Sequence, residues 1–164
     1  MQRVTRWVLA LSLMGVLTTV PLQAAPPGGK DSEASLTAKL ERENNPVKKA
    51  LIEIRLSRLK LRAATAANDK GEIESALDLL RAYRRHIENA WEFLRNSRRV
   101  AHKKSQGFKE LEIAIREDQR FLEDMKRSLP LENRAPVEDI TGAVSRIRAE
   151  DIKALFPTMA GAER

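Results

Sequence analysis

Residues 46–67, PVKKALIEIRLSRLKLRAATAA, decide the fold. Asn45 is a good helix N-cap and Pro46 fits the first helical position, where a missing N–H costs nothing. From there the apolar side chains fall in two stripes rather than one. Val47, Leu51, Ile54 and Leu61 make the first, and Ile52, Leu56, Leu59, Ala63 and Ala66 the second, at the three- and four-residue steps that place side chains on one helical face. Arg55, Arg58 and Arg62 lie beside the stripes, where their aliphatic stems can cover apolar surface while the guanidinium groups reach water. A helix with two apolar sides needs two neighbours, so the segment predicts a bundle of three or more members.

Outward from this segment the pattern repeats. Asn68-Asp69-Lys70-Gly71 is a turn signal, after which a second helix is expected over about 72–100. Ile73, Leu77, Leu80, Ile87, Trp91 and Leu94 keep heptad spacing there, with Arg84 in the one polar slot, and Leu79, Ala82, His86 and Phe93 form a second side. A connection over 102–107 leads to a third helix over about 108–128, where Phe108, Leu111, Ile115, Leu122, Met125 and Leu129 form a seam interrupted by Asp118. Pro136 can open a fourth helix to about residue 155, with Val137, Ile140, Val144 and Ile147 on its apolar face, and Pro157 ends it. Short loops between long helices favour antiparallel neighbours. The expected fold is therefore all-α, an antiparallel three- to four-helix bundle of long amphipathic helices over residues 46–156. Residues 25–45 are expected to be a flexible N-terminal segment with one short helix over 32–43, and residues 157–164 a flexible tail.

Composition agrees with helices. Leu, Ile, Ala, Glu, Lys and Arg dominate, aromatic residues make up only 4% and cysteine is absent, so stability must come from packing rather than from disulfides. Ahead of the bundle, Arg3 and Arg6 precede an apolar run over 7–20, and Pro21-Leu22-Gln23-Ala24 ends in a small residue suited to cleavage before Ala25. That is the layout of a signal peptide over 1–24. The run is shorter than the ~20 residues needed to span a bilayer, and no cysteine is present to carry a lipid anchor. The processed product is expected to be secreted or periplasmic, with no stable membrane span.

The net charge of +7 includes Arg3 and Arg6. The remaining charges are interleaved in sign, as on solvated helix faces. One stretch departs from this. Arg95, Arg98, Arg99, His102, Lys103 and Lys104 crowd together with no acidic residue between Phe93 and Phe108. Cations near a helix C-terminus suit the macrodipole, and the same cluster is a candidate patch for an anionic partner. A second candidate constellation is structural: Arg84 and Asp118, single charges in two apolar seams, are expected to form an ion pair that sets helix register.

Other chemistry has little to stand on. His86 and His102 are the only histidines and lack metal-ligand spacing, and no phosphate-binding loop or nucleophile elbow occurs. Adjacent acids such as Glu117 with Asp118 and Glu150 with Asp151 point in different directions on a helix and read as solvated surface. Trp91, Phe93 and Phe108 lie near the cations, but Trp91 fits the heptad core, so a nucleic-acid partner is not expected. The chain is thus expected to be a non-enzymatic binding or scaffold protein of the cell envelope, chaperone-like roles included, with no catalytic residue, metal or cofactor. Its partner would be another protein or an anionic envelope component. The alternative is a self-associating structural protein forming a homo-oligomer, and the third class is a small envelope enzyme.

Overall fold

The computed structural model describes residues 32–157. The signal peptide expected over 1–24 and all but the first residue of the expected tail lie outside them. Among the described residues the chain is helical, with five helices packed on one another and no strand.

The first helix, α1 (Glu33–Arg42), is capped by Ser32, whose Oγ accepts from the Ser35 N–H at 3.3 Å. It lies on α2 (Pro46–Asp69), Lys60 reaches Glu33 at 2.6 Å, and Leu36 is fully buried. Asn45 Oδ1 accepts from the N–H groups of Val47 at 2.9 Å and Lys48 at 3.3 Å, and so starts α2 where the Asn-Pro pair directs it. Residues 70–72 turn the chain into α3 (Ile73–Asn96), which packs against α2 more extensively than any other pair of elements. The next helices are α4 (Phe108–Ser128) and α5 (Arg134–Leu155), which pack on each other, α4 also on α2 and α5 also on α3.

The core gathers one face of each long helix: Ile54 and Leu61, Leu80 and Ile87, Leu111 and Ile115, Val137 and Val144. Polar bonds tie the helices across this core. Glu53 is buried in α2 and receives His86 Nδ1 at 2.5 Å and Asn89 Nδ2 at 3.3 Å from α3. Arg148 donates to Glu112 through Nε at 3.1 Å and Nη2 at 2.8 Å, joining α5 to α4. Trp91 meets Phe108 edge to face, with ring centroids 6.3 Å apart, and donates its indole N–H to Glu150 at 3.2 Å.

Two helix ends differ from the sequence expectation. Helix α3 stops at Asn96 instead of running to about Val100, because Ser97 Oγ donates to the Leu94 carbonyl at 2.6 Å and Arg98 takes a left-handed φ of 55°. The connection to α4 is longer than expected and carries most of the cationic cluster. Helix α5 begins ahead of Pro136: a single 3-10 turn at Leu131–Asn133 runs straight into it, and Arg134 reaches back to the Leu129 carbonyl at 3.0 Å. Pro136 remains in the first turn, where its missing N–H removes no helical bond.

Candidate functional site

The end of the molecule where α3 passes to α4 is built by a folded connection. Ala101 is buried beside the core, and the N–H groups of Lys103 and Lys104 both donate to the Val100 carbonyl at 3.0 Å. Gly107 closes the connection at φ 93°, and a β-carbon there would stand 2.5 Å from Leu94 Cδ2. The Gly107 N–H donates to Glu110 Oε2 at 2.6 Å, so α4 starts at a fixed point. Only glycine fits this close, left-handed position.

This architecture sets the cations outward. Arg95, Arg98, His102, Lys103 and Lys104 are exposed and Arg99 is half-buried. None of the six has an ion-pair partner among the described residues. The patch adjoins a cleft of about 680 Å³ between the start of α4 and the end of α5, into which His102 and Lys109 face. Arg116 and Arg148 also border it, and Ile113, Ile152, Leu155 and Phe156 supply apolar lining. Glu112, the acid in this cleft, is already engaged by Arg148 and Arg116. The result is an apolar trough with a cationic margin.

The expected pair of Arg84 with Asp118 does not form. Arg84 donates from Nε to Glu88 at 2.6 Å and from Nη1 to Asp139 on α5 at 2.8 Å. Asp118 instead lies with Tyr83 and the Arg58 guanidinium, while Arg58 Nη2 bonds the neighbouring Glu117. The reason is helical phase: side chains at 83 and 84 diverge by about 100°, so Tyr83 takes the inward slot and Arg84 turns toward α5. Burial raises the Asp118 carboxyl to about 6, against the opposing pull of Arg58. Burial also pushes the Tyr83 hydroxyl above its ordinary range, with Asp118 adding to the effect. Asp118 Oδ2, the Tyr83 hydroxyl and Arg58 Nε are all buried without a hydrogen-bond partner. Burying such groups without hydrogen-bond partners costs stability.

Asp118 is interior, as its place in the α4 seam implies, and so is Asp151, which was expected at the solvated surface. Asp118 is 4% exposed, and Asp151 is fully buried with neither carboxylate oxygen hydrogen-bonded. Burial and then the negative charge of Glu112 lift Asp151 to about 7. Its position was marked in the sequence, since Asp151 continues the α5 stripe of Val144 and Ile147 at steps of three and four. Glu53 carries no comparable mark, because it sits beside Ile54 rather than within either α2 stripe.

Among the described residues no three His, Cys, Asp or Glu side chains converge as a metal site would require, and no helix is long and apolar enough to cross a membrane. No family model matches this chain, and no curated protein and no solved structure is significantly similar to it.

Proposed function

We propose that this chain is exported with removal of residues 1–24 and works, without chemistry of its own, as a helical binding or scaffold protein of the cell envelope. In this reading the molecule is an antiparallel bundle of long helices whose working surface is the basic end between α3 and α4. The observation that carries it is the cluster Arg95, Arg98, Arg99, His102, Lys103 and Lys104, uninterrupted by acid and without ion-pair partners among the described residues. A merely dipole-compensating role would be met by one or two cations in the last helical turn, whereas five of these six follow the end of α3 by two or more residues outside any helix.

Replacing Arg98, Arg99, Lys103 and Lys104 by Gln tests the reading. The parent protein is expected to be held by an anionic matrix at low salt and released as screening shortens from about 10 Å at 0.1 M to about 3 Å at 1 M. The fourfold variant should keep its thermal midpoint and lose retention. Equal retention of parent and variant would overturn the assignment.

A second reading, self-association, draws on Phe121, which is 52% exposed beside Leu61 and Ala66 in the cleft between α2 and α4. Concentration-dependent sedimentation that disappears in Phe121→Ser would favour it. A monomer at all concentrations would exclude it.

A further inference from the structure

The cations at the basic end are not alone there. Val100, in the same connection as Lys103 and Lys104, is 49% exposed, and Phe156, on the margin of the adjoining cleft, is 51% exposed. Among the described residues the exposed large apolar side chains are few, and two of them stand at this one end, among unpaired cations. Phe156 does not belong to the side chains packed on the core, and its backbone N–H is already satisfied by the Ile152 carbonyl at 2.9 Å. Its ring thus contributes little to folding where it stands.

We propose that this end docks on an anionic lipid surface, with Lys103, Lys104 and Lys109 against headgroup phosphates and Val100 and Phe156 entering the boundary between headgroups and acyl chains. This deepens the anionic-partner reading above and rests on it. The two kinds of side chain together select the partner. A soluble phosphate polymer would satisfy the cations and leave Val100 and Phe156 in water, whereas a bilayer surface offers negative charge with hydrocarbon immediately below it. Cations draw the protein in from a distance set by screening, and apolar side chains then add short-range affinity that salt does not remove. The trough of Ile152 and Leu155 behind Phe156 extends the same apolar surface.

The test uses the chain as cells process it, in co-sedimentation with vesicles of phosphatidylcholine and with vesicles in which part of it is replaced by phosphatidylglycerol. Binding is expected to the anionic vesicles alone. Phe156→Ser and Val100→Ser should each weaken it about tenfold, the ratio that follows from withdrawing one large apolar side chain from a partly buried position. Both variants should still elute from an anionic matrix at the parental salt concentration. Vesicle binding unchanged in both serine variants would overturn lipid insertion and leave a purely electrostatic partner. Binding to poly-glutamate without binding to anionic vesicles would overturn it in favour of an acidic protein. In both cases retention on the matrix would leave the anionic-partner reading standing, and loss of that retention in the parent would remove the two together.

Discussion

Arg98 occupies a backbone conformation that costs a side-chain-bearing residue about 1–2 kcal/mol and costs glycine almost nothing. The position just after a helix is where glycine most often stands, and this chain places a cation there. Gly107, by contrast, sits nine residues later at a site where both its φ and the proximity of Leu94 demand glycine. The comparison separates a residue required by geometry from one that geometry disfavours. Arg98→Gly is accordingly expected to raise stability by about 0.5–1 kcal/mol, seen as a higher urea midpoint. The same substitution should lower the salt concentration at which the protein leaves an anionic matrix. A gain in stability together with unchanged elution would mean that the Arg98 charge contributes nothing to docking.

At the scale of the helix, the decisive quantity is rotational phase. A heptad count through α3 assigns the inward slot to Arg84, but an undistorted helix drifts by about 20° per heptad, and the slot belongs to Tyr83. Asp118 therefore couples to Arg58 and Tyr83 instead of Arg84. A double-substitution cycle on Arg58→Gln and Asp118→Asn, followed by denaturant unfolding, should give a coupling of about 0.5–3 kcal/mol, whereas the cycle on Arg84 and Asp118 should be additive within about 0.5 kcal/mol. The helical class and the positions of α2, α3 and α4 were legible because long amphipathic runs carry their own period, and because Asn45-Pro46 and Asn68-to-Gly71 mark ends chemically. The C-terminal end of α3 and the start of α5 were not, since they depend on a side chain returning to the backbone, Ser97 to Leu94 and Arg134 to Leu129. The cationic cluster was visible as a run of like charge. Its apolar companion Phe156 was hidden, because Phe156 follows the end of α5 whereas Lys109 lies in α4, and the two meet only through folding.

For the molecule as a whole, two interior carboxyls link stability to pH. Asp118 at about 6 and Asp151 at about 7 hold their protons in the folded state at pH values where the unfolded chain, near 3.9, has released them. Their contribution is fully present below about pH 4 and is lost as pH rises through 6 and 7, because only the folded state is then binding the extra protons. Asp151→Asn is expected to be more stable than the parent at pH 8, by an amount on the order of 1–3 kcal/mol, and nearly equal to it at pH 4. Urea titrations at the two pH values measure the difference, and identical midpoints at pH 8 would show that Asp151 ionises without penalty. The pairing of α2 with its immediate successor α3 has another outcome. Partners joined by only three residues find each other quickly, since little loop entropy opposes their meeting. With no thiol in the chain, this hairpin is expected to assemble first and the later helices to condense on it, at a rate indifferent to the redox state of the surroundings.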